Sequence, residues 1–125
     1  MFKYNAKVIR VVDGDTVDAM VDLGFSTFKK VRIRMYGFNA PESRTRDLEE
    51  KKRGLASKER LKVLLEENKN EFILKSYGVG KYGRCLGDIV LHHYDIEDVP
   101  TAQEVLIKEG HGKEYFGGKR WVNIT

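Results

Sequence analysis

Cysteine is nearly absent from this sequence. Only Cys85 carries a thiol, which excludes an internal disulfide and a zinc site built from cysteines. Long apolar runs are missing too, because charges interrupt every stretch well short of the ~18 apolar residues a transmembrane helix needs. Proline occurs only at Pro41 and Pro100, both at element boundaries, so no proline-rich linker divides the chain. No internal repeat or low-complexity tract divides it either. The opening residues Met1-Phe2-Lys3-Tyr4-Asn5-Ala6-Lys7 lack the apolar core of a signal peptide, which leads to the expectation of a cytoplasmic chain with no membrane partner.

What is present points to one unit. The 125 residues match the size of a single domain, expected over residues 1–125, and 41% hydrophobic residues are enough to bury a core. Lys and Arg number 23 against 19 Asp and Glu, a formal net charge of +4. That balance suits a polyanion partner but is weak evidence by itself.

Residues 7–35 read as β structure. Val8, Ile9, Val11 and Val12 form a first run. Val17, Ala19, Val21 and Leu23 alternate in a second, and Val31, Ile33 and Met35 in a third. Asp13-Gly14-Asp15 falls where a tight turn joins the first two, and Gly24 lies between the next two. In the third run Arg32 and Arg34 share one face. Residues 43–53 are charged without apolar period and read as an exposed loop. Residues 56–67 read as a helix with Leu61, Leu64 and Leu65 on one stripe. Residues 71–75 and 84–91 are fourth and fifth strands, separated by a glycine-rich turn. A second helix is signalled by Thr101 and Glu104 at capping-box spacing, with Val105 and Leu106 on its buried side and Gly110 as its stop. The plan is mainly β with two helices: a five-stranded Greek-key barrel, one helix after the third strand and one after the fifth.

Three segments hold the residue types that chemistry needs. Asp13-Gly14-Asp15-Thr16 sets two carboxylates about one glycine, an arrangement that can aim hard oxygens at a cation and is equally a common hairpin turn. Arg34-Met35-Tyr36-Gly37-Phe38-Asn39-Ala40-Pro41-Glu42 places a guanidinium, an amide oxygen and a carboxylate within one bend. Gly80-Lys81-Tyr82-Gly83-Arg84 is a glycine turn leading a second arginine into a strand.

In this order and spacing, the three segments resemble the staphylococcal nuclease (thermonuclease) family, over about residues 8–120. The resemblance implies an OB-type barrel and a metal-dependent nuclease hydrolysing phosphodiester bonds of DNA, RNA or both, with calcium as the usual cation and 3′-phosphate products. It implies that Asp15 ligates the cation beside Asn39 and the carbonyl of Ala40, with Asp13 assisting from the outer shell. Arg34 and Arg84 would grip the scissile phosphate, Glu42 would orient or deprotonate the attacking water, and Lys81, Tyr82 and Tyr115 would contact the nucleotide. Phe116 competes with Tyr115 for that last role. Two bidentate guanidiniums are chemically suited to the charge that builds on equatorial phosphate oxygens. A monomer is expected, and a phage or plasmid origin fits as well as a chromosomal one.

There are departures from the pattern. Asn39 stands where the family usually has Asp, which removes one negative charge from the cation site and leads to an expectation of weaker metal binding. Gly80 replaces the usual Asp of the third segment. A second reading is therefore a nuclease-like barrel with weakened catalysis that serves to bind nucleic acid, and a third is a generic OB-type binding protein. His92 and His93 have no third ligand at metal spacing. Cys85, within an apolar run, is expected to be buried. Phe2, Tyr4, Tyr77, Tyr94 and Trp121 are available for base stacking but equally for core or rim positions.

Overall fold

The β pattern read over residues 7–35 folds as a three-stranded antiparallel meander in the computed structural model, which describes residues 2–80, 83–91 and 100–116, and the first strand starts earlier than expected, at Phe2. Its strands are β1 (Phe2–Asp13), β2 (Thr16–Asp22) and β3 (Phe28–Met35). A two-residue hairpin at Gly14 and Asp15 sets Asp13 opposite Thr16. Then follow β4 (Phe38–Asn39), α1 (Leu48–Glu67), β5 (Glu71–Val79), β6 (Cys85–Val90), α2 (Ala102–Lys108) and β7 (Lys113–Glu114).

Five strands close a barrel in the order β1-β2-β3-β6-β5, with β5 pairing back onto β1. This is the OB-type barrel expected from the strand count and from the three motifs. β1 serves two neighbours, its first half against β5 and its second against β2, and two register shifts, at Val8/Arg10 and Val11/Asp13, bend the half paired with β2. β3 and β6 run parallel, with Ile33 opposite Cys85. Inward positions of every barrel strand, among them Val17, Ala19, Ile33, Phe72 and Ile89, meet Leu61, Leu65 and Leu106 of the helices in one buried cluster. Cys85 is buried with them. No helix among the described residues is long and apolar enough to cross a membrane.

The first helix corrects the sequence reading. Much of the stretch 43–53, expected as a loop, is helical: α1 begins at Leu48, where Asp47 caps it by accepting from the backbone N–H of Glu49 and Glu50. Its buried stripe runs Gly54, Ser57, Leu61, Leu64, Leu65. The first two members are small, so the apolar periodicity that marks a helix fades even though the stripe continues. A Cβ on Gly54 would lie 2.7 Å from the Ser43 nitrogen and closer still to the Glu42 carbonyl group. Glycine there lets the helix lie directly on the 42–43 backbone.

The second helix keeps its expected cap. Thr101 Oγ1 accepts from the Glu104 N–H at 3.1 Å, and Gly110, with φ +81°, ends the helix in a left-handed turn whose His111 N–H reaches the Leu106 carbonyl. Beyond it, β7 pairs with β4, placing Phe38 opposite Glu114 and Asn39 opposite Lys113. The sequence pattern held no sign of this ribbon, because two residues are too few to show an alternation. Lys81, Tyr82, His92, His93, Tyr94 and Trp121 lie outside the described residues.

Candidate active site

The Asp13-Gly14-Asp15 hairpin is wedged rather than merely turned. A Cβ on Gly14 would sit 2.9 Å from both the Ala40 and the Ser57 Cβ atoms and nearer still to Ser57 Oγ, so glycine is required by close approach of α1 and of Ala40, the residue after β4, not by φ. The two aspartates take different partners. Asp15 Oδ2 accepts from the Ala40 N–H at 3.0 Å and Oδ1 from Thr16 Oγ1 at 2.9 Å. Asp13 Oδ1 accepts from the Ser43 hydroxyl at 2.5 Å. The Met35 N–H donates to the Asp15 carbonyl at 2.9 Å, tying the hairpin to the end of β3.

Arg34 stands opposite Thr16 in the β2–β3 register, and its side chain is largely covered, at 15% exposure. Its Nη1 donates to the carbonyls of Phe38 (2.6 Å) and Met35 (3.2 Å), and Nη2 donates to Asn39 Oδ1 at 3.0 Å. Nη2 also lies 3.5 Å from Asp15 Oδ2. Burial pulls the affinity of this guanidinium for its proton down, Asp15 pushes it back up, and the like charge of Arg84 lowers it again. A guanidinium gives up its proton so reluctantly that Arg34 stays charged through these opposing effects.

One cleft of about 930 Å³ gathers Asp13, Asp15, Arg34, Asn39, Glu42 and Arg84 in its lining. They arrive from the first hairpin, the end of β3, β4 with its following loop, and the start of β6. Glu42 is exposed, and its backbone N–H donates to Glu50 Oε2 of α1 at 3.2 Å. Tyr115 is half-exposed, outside the lining, and its N–H donates to the Gly37 carbonyl. Its side chain lies within electrostatic range of Arg34. Phe116 packs edge-on against Tyr36 at 5.5 Å between ring centroids, a packing role. Lys81 and Tyr82 lie outside the described residues.

The sequence of 90 residues from 32 to 121 matches the family described as staphylococcal nuclease homologue, and the residues that carry the cleft after its first hairpin lie within that span. The chain belongs to the staphylococcal nuclease family. It is also 33% identical over 84 residues to Protein ParB of Escherichia coli, an alignment covering 66% of this chain and 40% of that protein. The chain thus spans about two fifths of the length of that relative.

Several cleft residues escaped the sequence reading. Arg44, Glu50, Arg53 and Lys113 line it as well. Glu50 and Arg53 were hidden in the stretch read as a loop, and Lys113 enters through the β4–β7 ribbon. With these, five cationic side chains face four anionic ones across the cleft, a mixed field suited to holding a phosphate and a cation together. For a cation the available oxygens are hard donors: the Asp15 carboxylate, the Asn39 amide and the Ala40 carbonyl, while the Asp13 carboxylate is engaged by the Ser43 hydroxyl. Among the described residues no group of three or more His, Cys, Asp or Glu side chains gathers to hold a metal. The donor chemistry fits a calcium-like ion, but only one whose remaining positions are filled by water or substrate oxygens.

Proposed function

We propose that this domain is a nuclease, hydrolysing phosphodiester bonds of DNA, RNA or both by in-line attack of water, with a divalent cation, calcium by family resemblance, as cofactor. The convergence of Arg34, Arg84, Glu42 and Asp15 on one cleft from segments 69 residues apart, Asp15 to Arg84, carries this reading. Arg34 and Arg84 hold the phosphate and stabilise charge on its equatorial oxygens, and Glu42 orients the water or takes its proton. Asp15, Asn39 and the Ala40 carbonyl would hold the cation, which when bound adds positive charge beside the phosphate. Lys81, Tyr82 and Tyr115 would contact the nucleotide, and 3′-phosphate ends are the expected products.

Arg34 has work before substrate arrives. Its Nη2 engages Asn39 Oδ1 and lies close to Asp15 Oδ2, the same two side-chain oxygens proposed for the cation. A phosphate that draws the guanidinium toward itself frees both oxygens, so substrate and cation are expected to favour one another's binding.

A second reading follows from Asn39, whose neutral amide leaves the site one charge short of the family pattern: a barrel that binds nucleic acid with little cleavage. One assay separates the two. Purified protein is incubated with single-stranded and double-stranded DNA and with RNA, in calcium, in magnesium or manganese, and in chelator. Cation-dependent cleavage that chelator abolishes supports the nuclease, and end analysis reads the product chemistry. Retained binding without cleavage in every condition supports the binding module.

A further inference from the structure

The outer face of the β1–β2–β3 sheet carries basic side chains that the cleft does not use. Cross-strand register arranges this face in rows: Asp13, Thr16 and Arg34 at the cleft, then Arg10, Asp18 and Arg32, then Lys7, Met20 and Lys30. Rows two residues apart are separated by ~7 Å, so the lysine row lies about 14 Å from the cleft row. The first two rows adjoin electrically: the hold of Arg32 on its proton is strengthened first by its hydrogen bond to Asp18 and the Asp18 charge, and last by Asp13 of the cleft row.

The middle row is built around a buried carboxylate. Asp18 is 4% exposed and receives Nε (2.8 Å) and Nη2 (3.0 Å) of Arg32, while Arg10 Nε lies 3.5 Å away. Both arginine side chains remain about half exposed. Burying a carboxylate against two arginines is a poor route to stability, because desolvation offsets most of the attraction and an apolar trio would serve as well. What it does achieve is one guanidinium, that of Arg32, oriented at the surface by two hydrogen bonds with Arg10 drawn in beside it, Arg32 spending only two of its five N–H donors on Asp18.

Met20 in the lysine row and Phe28 in the row beyond it are exposed at 38% and 60% and border a groove of about 420 Å³. Two carboxylates also line it. Asp22 is engaged with the Gly24 N–H at 2.8 Å, and Glu71 sits opposite Lys7 in the β1–β5 register.

We propose that a single strand of nucleic acid leaving the cleft crosses this face, its phosphates on Arg10, Arg32, Lys30 and Lys7 and a base against Phe28 and Met20. The proposal rests on the nuclease reading and extends it from one scissile phosphate to a track several nucleotides long. A guanidinium fixed in plane suits phosphate oxygens, and exposed Phe28 offers a stacking surface indifferent to sequence. A single strand is required because only unstacked bases can reach that ring. Asp18 is then a positioning residue.

The test uses the triple variant Lys7→Gln, Arg10→Gln, Lys30→Gln. All three side chains are exposed, and Arg32 stays to pair Asp18. Binding of a fluorescent single-stranded DNA of about 15 nucleotides, a length within the ~4–16 contacted by an OB fold, is followed by anisotropy in chelator across a salt series. The slope of log K against log salt should fall by about 2, at ~0.7 per lost phosphate contact. Hydrolysis of a thymidine nitrophenyl phosphodiester, small enough for the cleft alone, should stay at the wild-type rate. Phe28→Ser should weaken single-strand binding about tenfold with no change of slope. An unchanged slope in the triple variant overturns the track while leaving the nuclease reading intact. An equal loss of small-diester hydrolysis overturns it too, since the three residues would then act through the cleft or the fold. A wild-type protein that neither binds nor cleaves nucleic acid overturns the nuclease reading and the track together.

Discussion

Replacing Arg34 by Lys should damage two properties that are usually separable. The guanidinium donates three hydrogen bonds, to the Phe38 and Met35 carbonyls and to Asn39 Oδ1, and a single ammonium on a shorter stem cannot span those acceptors. Losing two of the three, at ~1–1.5 kcal/mol net each, removes about 2–3 kcal/mol of stability. For a domain of this size that is a fall of roughly 10 °C in Tm. The cleft loses a planar phosphate clamp as well, and removal of one such donor costs ~10²–10³ in rate. Thermal unfolding by circular dichroism reads the first effect. Cleavage of a fluorogenic oligonucleotide, well below both unfolding transitions, reads the second. An unchanged Tm would refute the idea that Arg34 holds residues 35–39 in place, and a rate within tenfold of wild type would refute its contact with phosphate. A Tm loss alone would leave Arg34 a structural residue.

Gly14→Ala drives a methyl into Ala40 and Ser57 and should cost ~1–3 kcal/mol. The accompanying shift of Asp15 should lower cleavage ~10²-fold, and unaltered denaturant unfolding would show that the wedge is not tight. Asn39→Asp restores a charge to the oxygen set and should tighten calcium binding about tenfold by calorimetric titration; an unchanged affinity would remove Asn39 from the cation site. Asp18→Asn addresses pH. Hydrogen bonds from Arg32, helped by the charges of Arg32, Arg10 and Lys30 against burial, hold the Asp18 carboxyl below its ordinary 3.8. Its contribution is therefore complete above the unfolded value and lost as pH falls through the lower folded value. The stability gap between wild type and Asp18→Asn should shrink below pH 3.8, and a gap that persists unchanged in acid would refute the pairing.

Elements with a strong local signature were legible in advance. β1 is marked by its run of β-branched residues, β2 and β3 alternate, α2 carries its own cap and stop, and the barrel follows from counting strands. Of the site, Asp15, Arg34, Glu42 and Arg84 could be named because their segments carry distinctive residues at fixed spacing. The amino half of α1 was not legible, since its buried face is Gly54 and Ser57 and its remaining positions are charged. The β4–β7 ribbon was not legible either, being two residues long on each side.

Local patterning and motif chemistry thus determined the strand plan, both leucine- and cap-marked helices and the identity of the central cleft residues, because each depends on neighbours a few positions apart. Tertiary structure decided the rest. Gly14 and Gly54 acquire their purpose only where α1 meets the first hairpin and the 42–43 backbone. Glu50, Arg53 and Lys113 become cleft residues only when the helix and ribbon bring them there. Asp18 reads as one polar residue in an alternating strand until β1 and β3 place Arg10 and Arg32 beside it. Close approach between segments distant in the chain is a property of the folded backbone, and no spacing along the sequence encodes it.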